Sequence, residues 1–292
     1  MKIELNNEYK LKENKILVNV KDKNNNIKQV SYDPYLYGAV FNLAKKRLKN
    51  WHGLILITGG VGDGKSSLGD GICGLDKYFF NSIYSINNIV FSTTDFESFC
   101  DDLNNFYQPI KYDEAIEGAT NQDMARSSKG LSFKKKIVQK RKKKHLYVMC
   151  IDELEEYAWK LIKMADIWID VKVYNMTRGY FDIYTDKQKI KSKYLALKNK
   201  QYYIANKIYP DKKNCKFMNY EDIFIDEEEY QKKKDKETIS EDKKKEEDKL
   251  KKRDDSIMRA LNSGLTQQQT ANIFGLSKST IRDTKAKRGS NI

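Results

Sequence analysis

The chain of 292 residues carries 55 Lys and Arg against 41 Asp and Glu, a formal net charge of +14, which favours an anionic partner, nucleic acid first. Its 4 cysteines are scattered without a C-x-x-C pair and only 2 histidines accompany them, so no zinc-ligand pattern can be assembled and reduced thiols of a reducing cytosol are expected. No apolar run approaches the roughly 20 residues that cross a bilayer, and Met1-Lys2-Ile3-Glu4-Leu5-Asn6 lacks the apolar stretch of a signal peptide. The expectation is a protein without membrane insertion, in the cytoplasm (the host's, if the chain is viral).

In chain order, Ile16–Val20 and Ile27–Val30 flank the turn-prone Lys23-Asn24-Asn25-Asn26 and predict a hairpin, the core of an N-terminal extension over residues 1–36. After Asp33-Pro34, the spacing of Leu36, Val40, Leu43 and Leu48 predicts a helix from about Tyr35 to Lys49. The apolar run Leu54-Ile55-Leu56-Ile57 then leads into Gly59-Gly60-Val61-Gly62-Asp63-Gly64-Lys65-Ser66-Ser67, with a helix predicted from Ser66. Strand, glycine-rich loop and helix N-terminus together make a phosphate-binding P-loop. The glycines let backbone N–H groups curl around an anion, and the helix N-terminus adds donors and a favourable dipole. In that pattern the loop residues Gly59 to Ser67 hold ATP, Lys65 reaches the β- and γ-phosphates, and the Ser66 hydroxyl ligates Mg²⁺.

Further strands are predicted at Ile86–Ser92, Ile110–Tyr112, His145–Ile151 and Ile167–Tyr174, and helices at Thr94–Leu103, about Gly130–Lys143 and Glu153–Met164. Alternating strands and helices imply an α/β domain over residues 37–225, a P-loop NTPase with a mostly parallel sheet flanked by helices. Residues 226–255 are nearly all Lys, Glu and Asp and predict a solvated helix or flexible tether.

Residues 256–292 predict a small all-α helix-turn-helix domain. Ile257 and Leu261 belong to a first helix that breaks at Gly264, Thr266 caps a second helix Gln267–Phe274, and Ser277 caps a third running to about Lys285. Ala271 permits close helix approach, and Gly275 supplies a positive φ at the turn. The third helix would offer Lys278, Ser279, Thr280, Arg282 and Asp283 to a DNA major groove, with Lys285, Lys287 and Arg288 on phosphates. A helical hairpin used only for protein contacts is the alternative.

An NTPase also needs a carboxylate beside Mg²⁺ at a strand end and an acid that orients the attacking water. Two pairs qualify: Asp113-Glu114, at the usual distance after the P-loop, and Asp152-Glu153, which follows the more apolar strand. The series Tyr112-Asp113-Glu114-Ala115, a helix ending Gln139-Lys140-Arg141-Lys142, the strand Leu146–Cys150 and the distal Ile167–Val171 and Arg178–Phe181 resembles the FtsK–HerA and zonula occludens toxin-like branch of additional-strand P-loop ATPases of phages and mobile elements. The likeness spans about Leu54–Tyr184, although the inner strand ends in Cys150-Ile151 instead of a polar sensor and no membrane segment of the toxin-like type is present.

This resemblance implies that Asp113 is the Mg²⁺-side carboxylate and Glu114 the water-orienting base, and that the strand Leu146–Cys150 lies between their strand and that of the P-loop. It also implies an arginine finger at Arg141, in cis or across a subunit boundary, with Arg126 and Arg178 as lesser candidates, and a ring-forming homo-oligomer. Asp152-Glu153 would then be a helix N-terminus, where acids favour the dipole. The basic run Lys134–Lys144 reads as a DNA-backbone track or as a solvated helix face, with Phe133, Ile137 and Val138 towards the core. The functional expectation is an ATP-hydrolysing DNA-handling protein (packaging, transfer, partition or replication) with ATP and Mg²⁺ as cofactors. An ATP-switched DNA-binding regulator is the first alternative and a P-loop kinase the second.

Overall fold

The computed structural model of the chain describes residues 4–102, 106–113, 135–174 and 177–289. Two compact units divide between Gln231 and Lys232. In the first, a three-stranded antiparallel sheet of β1 (Lys10–Lys12), β2 (Lys15–Lys21) and β3 (Ile27–Tyr32) includes the expected hairpin plus one further strand. Helix α1 (Pro34–Leu48) follows, its N-terminus capped by the Asp33 carboxylate, which accepts from the N–H groups of Tyr35 and Leu36.

The main sheet has seven strands, β4 (Gly53–Thr58), β5 (Ile89–Val90), β6 (Pro109–Tyr112), β7 (Leu146–Cys150), β8 (Ile167–Tyr174), β9 (Thr177–Tyr184) and β10 (Lys212–Lys216), in the spatial order β10-β9-β8-β4-β7-β6-β5. Pairings from β5 across to β8 are parallel, and β9 and β10 close the other edge in antiparallel register. Strand β7 therefore lies between β4 and β6. The central strands β4 and β7 are buried along their whole length, as a parallel sheet covered on both faces requires. Alternation sends Ile55, Ile57, Val148 and Cys150 to the face covered by α1, by α2 (Lys65–Phe80) and by the hairpin. Leu54, Leu56, Tyr147 and Met149 face the other layer, built from α3 (Thr93–Asp101) and the helices Trp159–Met164 and Lys187–Lys198.

Three local expectations change. The segment Ile86–Ser92 gives only a two-residue strand, because Ile86–Asn88 winds into a 3₁₀ turn closed by the Asn88 side chain on the Ser85 N–H. Glu153–Met164 is not one helix: a 3₁₀ turn at Leu154–Glu156 is followed by extended backbone at Tyr157 and Ala158, and the helix begins at Trp159. The buried Tyr157 hydroxyl, 2.6 Å from the Met149 carbonyl and 3.3 Å from that of Ile57, draws the chain back against the sheet and interrupts the helix. Val138 is exposed and only Ile137 of its neighbours is buried, since the stretch after residue 139 tightens into a 3₁₀ turn at Lys140–Lys143; Phe133 lies outside the described residues.

Helix α2 carries Gly71 and Gly74 in its interior, a choice that costs about 1 kcal/mol each relative to alanine. Their lack of a side chain lets the segment 217–225 cross the helix: a Cβ at Gly71 would lie 2.3 Å from the Tyr220 ring, and one at Gly74 2.2 Å from Phe224. The helix Glu227–Asn262 has its first turn in the first unit and continues through the charged stretch into the second, where Gln267–Phe274 and Lys278–Gly289 follow. Ile257, Ala271 and Ile281 form the core of the second unit, with Leu261, Phe274 and Leu276 packed against them. Gly275 takes the left-handed conformation at φ 62°. Among the described residues no helix is long and apolar enough to cross a membrane.

The N-terminal layer is joined to α2 by a fully buried ion pair between Arg47 and Asp76, and the Arg47 Nε also donates to the Lys144 carbonyl at 2.8 Å. Burial pushes the Asp76 carboxyl up to about 6 against the pull of the guanidinium beside it. Removing one partner strands a buried charge, whereas removing both replaces the pair by apolar contact. Arg47→Met is expected to cost about 3–5 kcal/mol in urea unfolding, and Arg47→Met with Asp76→Leu to recover most of it. A loss under about 1 kcal/mol for the single variant would contradict the pair's role.

Candidate functional site

The parallel strands all deliver their C-terminal ends to one edge of the sheet, the edge at which open α/β folds gather ligands. The loop Gly59–Gly64 follows β4 there, with positive φ at Gly59, Gly62 and Gly64. Gly59 could not carry a side chain, because a Cβ would lie 2.5 Å from the Val171 carbonyl oxygen. Val61 stands exposed at the tip. The Gly60 N–H donates to the Asp63 carboxylate at 2.7 Å. Lys65 Nζ donates to the carbonyls of Gly59 and Gly60 at 2.7 and 3.0 Å and to Asp152 at 2.7 Å.

The two acidic candidates occupy different places at this edge. Asp113, buried at the end of β6, accepts from Ser66 Oγ at 3.0 Å through Oδ1 and from the Tyr230 hydroxyl at 2.7 Å through Oδ2. Beneath it, the fully buried Lys111 ammonium lies 3.3 Å from Asp113 and 2.7 Å from Asp70 of α2. Burial pushes the Asp113 carboxyl up, but the Lys111 charge and the bonds from Tyr230 and Ser66 outweigh it and hold it below the usual carboxylate value. Asp152 follows β7, is half exposed, and faces Lys65 instead of Ser66. Its neighbour Glu153 has extended backbone before a 3₁₀ turn, so the expectation that this pair sits at a helix N-terminus is corrected by the Tyr157 break. Glu114 and Arg126 lie outside the described residues.

Ser67 points away from the loop. Its hydroxyl donates to Asn219 Oδ1 and accepts from the Tyr220 N–H, both at 2.9 Å, which leaves its backbone for the loop. Arg141 is at the wrong edge for a finger in its own subunit. It precedes β7, so a parallel sheet places it at the N-terminal edge, where its guanidinium lies 5.4 Å from the ring of Trp51, just before β4. Arg178 opens β9, which runs antiparallel to β8 and therefore starts at the P-loop edge. A Cβ at Gly62 would sit 3.7 Å from its Nη2.

In the basic run, Lys136 and Lys140 are both paired with Asp101, and Lys143 donates to the Asp102 carbonyl. In the tail, Lys278, Arg282 and Lys285 recur at helical spacing and are exposed, while Ile281 and Thr284 between them are buried. Ser279 is exposed and Thr280 half-buried, and their hydroxyls lie 2.7 and 2.8 Å from that of the capping residue Ser277.

Sequence reasoning missed Lys111, Asp70 and Tyr230. Two of them left a signal: Lys111 is two residues before Asp113 and so on the same strand face, and Asp70 is four after Ser66 and so on the same helix face. Tyr230 left none, being one aromatic residue in a charged stretch.

No known family and no curated protein matches this chain. Among solved structures it is similar to the crystal structure of the N-terminal domain of zonular occludens toxin from Neisseria meningitidis, with 15% identity and a TM-score of 0.35, over 49% of this chain and 90% of that one.

Lys111 separates two buried carboxylates, so Lys111→Met is expected to destabilise the protein by about 3–5 kcal/mol in urea unfolding. Asp152→Asn, which removes only a half-exposed partner of Lys65, is expected to cost about 1 kcal/mol or less. Equal losses would contradict the difference in burial.

Proposed function

We propose that the chain is a P-loop ATPase that binds Mg²⁺ and ATP at Gly59–Ser67, hydrolyses ATP, and handles DNA through its tail unit for a phage or other mobile element. The observation that carries this reading is the Ser66–Asp113 hydrogen bond at the end of β6, beside a glycine loop that leads into the N-terminus of α2. Hydroxyl and carboxylate oxygens suit Mg²⁺, which keeps several waters and is commonly held by one or two protein oxygens and the phosphates. Once bound, the cation neutralises charge on the β- and γ-phosphates.

In this mechanism the loop amides orient the triphosphate and Lys65 moves from its carbonyl and Asp152 partners onto the β/γ-phosphates. Ser66 and Asp113 would hold the metal side of the site, Asp113 kept ionised by Lys111. Glu114, next along the chain, takes the proton of the attacking water. Arg178 is the cation in position to meet developing phosphate charge within the subunit, whereas Arg141 would serve only across a subunit boundary in a ring. Exposed Lys278, Arg282 and Lys285, with Ser279 and Thr280, form the face offered to DNA as a helix-turn-helix.

Two outcomes test the catalytic half. Lys65→Ala is expected to abolish ATP binding or turnover in a folded protein. Glu114→Gln is expected to retain binding and lose hydrolysis by about 10²-fold or more, the scale of a lost positioned base, while Glu153→Gln changes little. The reverse pattern between the two glutamate variants would overturn the assignment. Near-zero turnover of the unaltered protein despite tight ATP binding would favour an ATP-switched regulator.

The DNA half is tested separately. Removing residues 256–292 is expected to weaken DNA binding while basal ATPase activity persists. Arg282→Ala is expected to weaken a selected site more than random DNA, by about 1–3 kcal/mol if Arg282 reads a base edge. Unaltered DNA affinity after the truncation would contradict a DNA-reading tail.

A further inference from the structure

The geometry points to Tyr230 as a positioning residue for Asp113, one whose hydroxyl ties occupancy of the metal–nucleotide site to the first turn of the helix Glu227–Asn262; the inference rests on the ATP-site reading above. Both oxygens of the Asp113 carboxylate are engaged from different elements. Ser66 of α2 donates to Oδ1 at 3.0 Å, Tyr230 donates to Oδ2 at 2.7 Å, and Lys111 of β6 lies 3.3 Å from Oδ2. The plane of the carboxylate is thereby fixed by α2, β6 and the long helix together.

The tyrosine ring is itself held in place. It is buried, packs 5.7 Å from the Phe91 ring, and has the Lys111 ammonium 4.8 Å from its centroid. The turn that carries it is anchored as well. Asp226 accepts from the N–H groups of Glu228 and Glu229, and Lys23 of the hairpin turn bridges Asp222 and Asp226 at 2.8 and 2.7 Å. A helix rich in charged residues thus places one buried aromatic hydroxyl on the Asp113 carboxylate.

Two consequences follow. A carboxylate fixed in orientation need not reorganise when metal-bound waters donate to it, so loss of the hydroxyl weakens metal-dependent binding without touching a phosphate contact. By linkage, a site that favours this carboxylate orientation also favours the anchored first turn, and the coupling is equal in both directions.

The test uses full-length protein and a fluorescent ATP analogue. Tyr230→Phe keeps the ring and removes the hydroxyl. It is expected to raise the Mg²⁺ concentration for half-maximal analogue binding about ten-fold, within the range for a lost hydrogen bond to a charged group, with metal-free binding unchanged. Hydrogen exchange at the amides of residues 227–231 is expected to slow on adding Mg²⁺ and ATP in the unaltered protein and to respond little in Tyr230→Phe. Lys23→Met loosens the same turn without touching Asp113 and, by the same linkage, is expected to raise the Mg²⁺ midpoint by a smaller factor than Tyr230→Phe. A Tyr230→Phe protein with the unaltered midpoint and exchange response overturns the inference, as does an equal midpoint shift in Lys23→Met. If the unaltered protein binds no nucleotide, the ATP-site reading falls and takes this inference with it.

Discussion

The edge of the sheet that carries the glycine loop depends on one buried cation. Lys111 has no solvent exposure, and its ammonium lies between Asp70 of α2 and Asp113 at the end of β6. A charge in that position is stabilised by the two carboxylates close to it. Their mutual repulsion is relieved by Lys111, with the Tyr84 hydroxyl donating to Asp70 and the Ser66 and Tyr230 hydroxyls donating to Asp113. The cluster ties the helix after the glycine loop to the neighbouring strand, and it holds the Asp113 carboxyl below the usual carboxylate value.

The second constraint is steric. Helix α2 gives up helix propensity at Gly71 and Gly74 so that Tyr220 and Phe224 can lie against its backbone. The segment that crosses there also occupies the Ser67 hydroxyl through Asn219 and Tyr220, and it leads directly to Tyr230. Glycine therefore serves two purposes around this edge of the sheet. In the loop it frees amides for an anion; in the helix it admits the segment that carries Tyr230 to the base of the site.

Legibility in the sequence followed the range of the interactions. The strand Leu54–Ile57, the glycine loop and the capped helices of the tail were readable because burial, positive φ and capping are decided by neighbours in the chain. The place of β7 between β6 and β4 was expected from a resemblance, and the strand register has it there. The helix expected over Glu153–Met164 failed because Tyr157 bonds to carbonyls of two different strands, a pull that periodicity does not register. The place of Arg141 follows from topology: a residue shortly before a parallel strand lies at the edge opposite the glycine loop, and the same rule puts Arg178, at the start of the antiparallel β9, at the glycine-loop edge. Tyr230 lies 117 residues from its partner Asp113, and nothing local marks it.

The central claim is that Ser66 and Asp113, not Lys65 and Asp152, form the metal side of a nucleotide site. A crystal structure with Mg²⁺ and a non-hydrolysable ATP analogue tests it most directly. The account predicts phosphates wrapped by the amides of Gly60–Ser66, Lys65 withdrawn from Asp152 onto the β/γ-phosphates, and the metal on Ser66 Oγ with a bound water on Asp113. A metal coordinated at Asp152, or an analogue bound away from the glycine loop, would contradict it.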